Sequence, residues 1–363
     1  MARFEHYAVS PSGSSYALAS VAGDDLHGLP DVLAALPPSF GSPAYLGIAA
    51  DAVPEPGLHQ RLHLFDTGGT GTDGPVPEAL RPALERRLAE LTGAAPTPAE
   101  RAAWARPGWL ADAEAWASCE LRPHRIWQLS AVLRGSGGFL KAVFPLFHHE
   151  PSVTAALARE HPGSVPEVLR IDPERGWMLM RPVGGRGPHE QGRAAAAAVL
   201  GTLAVIHRAW SGRADELFAL GAQDRRVHAP ELALLPDTLV HGDFHGGNAL
   251  VDEGRAVIFD WSDACVANPL FDLHIYLMDV AEQERDGLID AYARGWAGDV
   301  AADDLRSALP HAIPLSCLHQ AESYRAILAS LAPDDRFWFE GEPERWRGLA
   351  NAARAETRPS PDT

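Results

Sequence analysis

Residues 239–273 read LVHGDFHGGNALVDEGRAVIFDWSDACVANPLFDL, and the order of apolar and polar positions in this stretch decides how the chain is read. Leu239 and Val240 end a short apolar run. A polar cluster follows (His241, Asp243, His245, Asn248), then the apolar Ala249–Val251, a DEGR turn at 252–255 and the strand AVIFD at 256–260. A loop followed by a hairpin in this order carries two acids and an amide, Asp243, Asp260 and Asn248, to one edge. Asn248 and Asp260 are hard oxygen donors that suit Mg²⁺, which takes a few protein oxygens together with phosphate and water. Asp243 is then left to accept a proton from a hydroxyl. With a cation to meet nucleotide phosphates, these are the parts for phosphoryl transfer. A second chemistry stands beside it, because His241, Asp243 and His245 also form an H-x-D-x-H cluster of the kind that binds a transition metal in a hydrolase. That reading leaves Asn248, Asp260 and Lys141 unused.

The segment resembles the aminoglycoside phosphotransferase and choline kinase-like family, a group of protein-kinase-like phosphotransferases. The family loop reads His-Gly-Asp, three more variable residues and Gly-Asn, and its metal strand ends in Asp-Trp; here these are His241, Gly242, Asp243, Gly247, Asn248, Asp260 and Trp261. The resemblance runs from about residue 119 to 340. It implies an α+β, bilobal protein-kinase-like fold with a strand-rich N-lobe and a helical C-lobe. It also implies that Asp243 is the catalytic base, that Asn248 and Asp260 hold Mg²⁺, and that His241 is structural. Lys141 then touches the phosphates of ATP or GTP, with Glu150 as its ion-pair partner and Glu160 as the alternative. Met178 to Met180 form the hinge, and Met180 meets the purine. Two positions depart from the pattern. Asn268–Pro269 stands where many relatives carry Asp-Pro, and His124–Ser130, where a phosphate-covering loop belongs, has no glycine. Phosphate contact there falls to backbone amides or to Ser130. Asp263 and Asp272 are expected to hold the loop and the next helix in place.

Working outward, IWQLSAVLR (126–134), a GSGG turn (135–138) and FLKAVF (139–144) read as a hairpin with Lys141 on its second strand. HHEPSVTAALAREH (148–161) reads as a helix with Pro151 at its start. SVPEVLRI (164–171) and GWMLMRP (176–182) read as short strands, and Gly184–Gly185 marks a hinge. Helices are expected at 190–210, 270–296, 301–309, 312–331 and 343–356. Before residue 115, short apolar runs separated by Pro/Gly/Asp turns and a helix from Pro77 to Leu91 suggest a small α+β module, with TGAAPTPAE (92–100) as connector. The expected organisation is therefore an accessory module at 1–115, a kinase-like N-lobe at 116–185 and a helical C-lobe at 186–357. Trp104, Trp109 and Trp116 read as packing residues. FDTGGTGTDG (65–74) reads as a glycine turn: an aspartic protease needs a second Asp-Thr-Gly, and an actin-like phosphate loop leads into a strand rather than into Pro75 and a helix.

Composition narrows the function. With 48 acidic against 31 basic residues the net charge is −17, which argues against nucleic-acid binding. Cys119, Cys265 and Cys317 have no CxxC spacing, so neither a disulfide framework nor a zinc site is expected, and a reducing cytoplasm is. The longest apolar run, Ala194–Ile206, falls short of the roughly 20 residues that span a bilayer. Of the 31 basic residues Lys141 alone is lysine, and it stands where a compact ammonium is wanted and Arg's planar fork is a poor substitute. The expected activity is ATP- or GTP-dependent, Mg²⁺-dependent phosphorylation of a hydroxyl on a small molecule, aminoglycoside-like or otherwise cationic or sugar-like. Glu282, Glu284 and Asp286 are candidates for drawing in a cation. A different class of reading is a nucleotide-binding regulatory or interaction protein built on kinase lobes; the intact set Lys141, Asp243, Asn248 and Asp260 favours the enzyme.

Overall fold

The apolar–polar alternation of RLHLF becomes the middle of strand β4 (Leu58–Asp66), which is buried on both faces. Leu62 and Leu64 face a core with Val9, Leu80 and Leu84, while Arg61 and His63 are buried on the opposite face. Those polar groups are satisfied there: Arg61 Nε donates to Asp51 at 2.6 Å, and the rings of His6 and His63 meet at 2.9 Å. The computed structural model describes residues 3–12, 15–23, 29–34, 44–55, 58–66, 76–106 and 108–357. The chain divides into two units, Met1–Phe144 with Ile327–Glu340, and Pro145–Ala326 with Gly341–Thr363.

In the first unit β1 (Arg3–Ser12), β2 (Ser15–Gly23), β3 (Ala44–Glu55) and β4 form a sheet in the order β2-β1-β4-β3, with β1 and β4 parallel. Helices α1 (Leu29–Ala34), α2 (Arg81–Leu91) and α3 (Trp109–Ala117) accompany it. Of the 65–74 glycine turn, Asp66 ends β4 and residues 67–74 lie outside the described residues. The antiparallel strands β5 (Arg122–Ile126), β6 (Ser130–Gly135) and β7 (Gly138–Val143) belong to the same unit, and the GSGG turn joins β6 to β7 as expected. The expected strand at 126–134 does not run through. Trp127–Leu129 form a turn, closed by Trp127 N–H donating to the Ser130 carbonyl at 3.0 Å, and an additional strand, β5, precedes it. Residues 327–340 return to this unit through charge. Arg101 bridges Glu90 and Asp335 with side chains almost wholly buried, and Arg86 pairs with Asp334.

The second unit begins with α4 (Glu150–Glu160), with Pro151 in its first turn, and continues with the hairpin β8 (Val168–Asp172) and β9 (Trp177–Met180). A short α5 (Pro188–Gln191) precedes α6 (Arg193–Trp210), which supplies Val199, Leu200, Leu203, Ile206 and Trp210 to the main core. Gly185 lies at φ +109° where a Cβ would stand 2.5 Å from the Val251 carbonyl oxygen; that close approach lets Arg186 and Val251 exchange backbone hydrogen bonds. After α7 (Ala214–Ala219), β10 (Gln223–Asp224), β11 (Thr238–Val240) and β14 (Cys265–Ala267) make a small sheet, and β12 (Ala249–Asp252) with β13 (Arg255–Ile258) makes the expected hairpin.

Two helix boundaries differ from expectation. Residues 270–296 form α8 (Leu270–Met278) and α9 (Glu282–Gly295), not one helix. Leu270 through Leu277 are buried all round, whereas α9 has an exposed face, and one straight helix cannot serve both surroundings. The backbone turns at Ala281, φ −59° and ψ 138°. Conversely, 301–309 and 312–331 merge into α10 (Ala302–Ser330), with Pro310 and Pro314 inside it. An interior proline costs about 3 kcal/mol. Buried side chains on both sides offset this, Leu305, Ala308 and Ala312 in the main core and Cys317 and Ala321 against Trp346 of α11 (Glu342–Thr357). Among the described residues no helix is long and apolar enough to cross a membrane.

Candidate active site

The 241–248 loop is held by a single buried carboxylate. Asp272, in the first turn of α8, accepts the backbone N–H of His241 at 2.6 Å and of Gly242 at 2.9 Å, and lies 3.1 Å from His207 Nε2. His207 Nδ1 in turn meets the Tyr292 hydroxyl at 2.8 Å. Burial alone would raise the pKa of Asp272; its bond with His207 and the neighbouring imidazoles outweigh burial and hold it below the usual carboxylate range. Gly242 has φ +87°, and a Cβ there would stand 2.3 Å from the Asp263 carbonyl oxygen, so the middle residue of the His-Gly-Asp motif has to be glycine. Its carbonyl accepts the Gln320 amide from α10.

His241 is turned into the core, fully buried between Trp261 and Phe244 with ring centroids at 4.8 and 5.4 Å, and its Nε2 meets the Phe259 carbonyl at 2.9 Å. It is scaffolding, as expected. The H-x-D-x-H cluster therefore does not assemble: only His245 approaches Asp243, at 3.9 Å, and among the described residues no three His, Cys, Asp or Glu side chains converge as a metal site. Asn248 donates its amide Nδ2 to the Asp243 carbonyl at 2.9 Å, which leaves Oδ1 as the atom available to a cation. The Phe259 N–H bonds the Asn248 carbonyl at 3.0 Å and Ala249 pairs with Ile258, so the hairpin brings Asp260 back beside Asn248. Asp260 adopts φ +67°, a conformation costing a residue with a Cβ about 1–3 kcal/mol and found where a side chain must be aimed. Its Oδ1 accepts the Ser262 hydroxyl at 2.6 Å. Two hard oxygen donors on one pinned hairpin fit Mg²⁺ rather than a nitrogen- or sulfur-seeking metal.

Asp243 projects from this loop with about half its side chain open, 48%. Protein crowds the other side and strips its hydration, and Asp260 and Asp272 add negative charge, so its pKa is raised to about 6. Asp263 is pushed further, to about 7, by burial and then by Asp243.

Residues 140–311 match the family described as APH, phosphotransferase enzyme family. This segment belongs to the phosphotransferase enzyme family. With the family comes an activity class, and the chain is an enzyme of phosphotransferase type. No curated protein matches the chain. Among solved structures the fold is similar to an ethanolamine kinase of Plasmodium vivax, at TM-score 0.51 and 9% identity over 79% of this chain and 92% of that one. That likeness shows the protein-kinase-like fold. A choline/ethanolamine kinase family protein of Mesorhizobium loti is also similar, at 22% identity and TM-score 0.45 over 61% of this chain and 84% of that one. So is a macrolide 2'-phosphotransferase of Brachybacterium faecium, at 19% identity and TM-score 0.44 over 66% and 97%.

Of the residues expected in the phosphotransferase site, Asp243, Asn248 and Asp260 are brought together in the second unit. Glu150, fully buried at the start of α4, and Met180, half-buried at the end of β9, lie in that unit as well. Lys141 on β7 and Ser130 at the start of β6 lie in the first unit, both buried. Ser130 is already engaged, since its hydroxyl oxygen accepts the Trp127 indole N–H at 2.9 Å. Glu160 is bound by Arg213 at the surface. Asp286 is bound by Arg306, and the exposed Glu282 and Glu284 occupy the first turn of α9, where they favour the helix dipole. Gln320 was not anticipated. It reaches Gly242 from 78 residues away and carries no local signal.

Proposed function

We propose that the chain is a Mg²⁺-dependent kinase that moves the terminal phosphoryl group of ATP or GTP to a hydroxyl of a small molecule. The observation that carries this reading is the pinned loop and hairpin that present Asp243, Asn248 and Asp260 together. Asp243 takes the proton of the acceptor hydroxyl as its oxygen bonds to phosphorus and the bond to the nucleoside diphosphate breaks. A carboxylate with pKa about 6 is a stronger base than an ordinary one and is still ionised at neutral pH. Asn248 and Asp260 would hold Mg²⁺, which when bound draws charge from the phosphate oxygens. Lys141 supplies the compact cation for the phosphates with Glu150 as its partner, and Met180 meets the purine. In this reading 116–185 is the nucleotide lobe, 186–357 the helical lobe and 1–115 an accessory module.

The acceptor is a small hydroxylated molecule, cationic or sugar-like, and the net charge of −17 favours the cationic kind. Free Cys119, Cys265 and Cys317 suit a reducing cytoplasm. The test is phosphoryl transfer from ATP or GTP with Mg²⁺ to pooled aminoglycosides, amino alcohols and sugars, read by mass spectrometry. Asp243→Asn should lower turnover by about 10²–10⁴ while nucleotide still binds. Turnover at the wild-type rate in that variant overturns the mechanism.

A further inference from the structure

The Trp127–Leu129 turn stands where a phosphate-covering loop is expected, and it contains no glycine. Glycine in such a loop allows close backbone approach and easy movement. Here both are replaced by bracing from residues distant in sequence, all within the first unit. The indole N–H of Trp104, just after the 92–100 connector, donates to the Trp127 carbonyl at 2.9 Å. The buried Gln128 points its amide at Asp51 of β3, 3.5 Å away, and the same Asp51 oxygen accepts the Trp338 indole at 2.6 Å. The Trp127 ring packs on buried Phe339 with centroids 5.9 Å apart, while its own N–H bonds Ser130. The turn is thus gripped on its backbone, at its middle side chain and on its aromatic face. The gripping residues come from the N-terminal module and the returning 327–340 segment.

We propose that Trp104, Asp51 and Phe339 are positioning residues that hold the Trp127–Leu129 turn in its nucleotide-binding conformation, and that this is the role of the N-terminal module and the returning segment. The proposal rests on the kinase reading. Physically, a turn ordered before the ligand arrives spends none of the binding energy on its own ordering, so loss of the brace appears in nucleotide affinity before it appears in the chemical step.

The test uses the full chain with Trp104→Phe, which keeps the ring and removes the N–H, and with Phe339→Leu. Trp109→Phe is the control, because Trp109 packs edge-on to Trp104, centroids 6.3 Å apart, and is buried in the same unit. Hydrogen exchange over residues 124–130 should quicken in the first two variants and not in the control. The nucleotide KM should rise on the order of tenfold in the first two, with kcat and acceptor KM nearly unchanged. A wild-type protein that transfers no phosphoryl group from ATP or GTP overturns the kinase reading. An active wild type, with both brace variants at wild-type nucleotide KM or with the control shifted equally, overturns the brace and leaves the kinase reading standing.

Discussion

The 241–248 loop and the Trp127–Leu129 turn achieve rigidity by opposite means. The loop is held by one carboxylate thirty residues on, Asp272, which takes two successive backbone N–H groups, and by an amide within the loop itself. The turn is held by side chains on segments 23 and 77 residues before it and by an aromatic ring from beyond α10. In the proposed mechanism Asp243 has to keep its position to a fraction of an ångström, and buried charge-assisted hydrogen bonds give that precision. The turn, in the role proposed for it, needs only a fixed course, and packing gives that. Damage to the loop should therefore cost stability and chemistry together, whereas damage to the turn should cost affinity.

Asp272→Ala is expected to have the largest effect. It strands two buried N–H groups and His207, at about 3–5 kcal/mol, read by denaturant unfolding. The pH dependence follows from the depressed pKa of Asp272 in the fold. The unfolded carboxyl titrates near 3.9, so its contribution is complete above about pH 4 and falls away as pH drops through the folded value. The stability gap between wild type and Asp272→Asn should hold level from pH 8 to 5 and close only in stronger acid. A gap that widens in acid would remove Asp272 as the charged anchor.

Lys141→Arg comes next and probes the first unit. A loss of about 10² in kcat/KM is expected, because a planar fork does not place its charge as a compact ammonium does. Near-normal turnover would make the chain's one lysine incidental. Gly242→Ala returns to the loop. The left-handed backbone and the approach of the Asp263 carbonyl should cost about 2 kcal/mol and lower kcat with it, since Asp243 is the next residue. A stable Gly242→Ala protein with normal kcat would show that the loop tolerates movement.

The same contrast governs what was legible in the sequence. The loop, the hairpin behind it and the start of α4 were readable because their determinants lie within a few residues of one another: a polar cluster, a DEGR turn, a proline in the first turn. Asp272 was readable as an anchor because it closes the same motif-bearing stretch, 239–273. Gln320 and Trp104 were not, since a bond spanning 78 or 23 residues leaves no periodicity behind. The break expected between 309 and 312 does not occur, because burial on both sides of Pro310 and Pro314 outweighs the lost hydrogen bonds. The strand expected at 126–134 and the helix expected at 270–296 were both drawn too long: Trp127–Leu129 turn among tertiary partners, and the chain turns at Ala281 between the buried α8 and the partly exposed α9.

The smallest expected effect separates two roles for Ser130. As a phosphate ligand it would act on the nucleotide directly; as the acceptor of the Trp127 indole it acts only through the turn. Ser130→Ala and Trp127→Phe each remove one end of that bond, at about 0.5–1.5 kcal/mol. If the bond is the whole role, the double variant raises the nucleotide KM no further than either single one, and the coupling energy equals the single effect. If Ser130 also reaches the phosphates, the two effects add and the Ser130→Ala loss persists in the Trp127→Phe background. With the hydroxyl buried and already bonded, the non-additive result is expected, and it would place Ser130 with the brace rather than with the ligands.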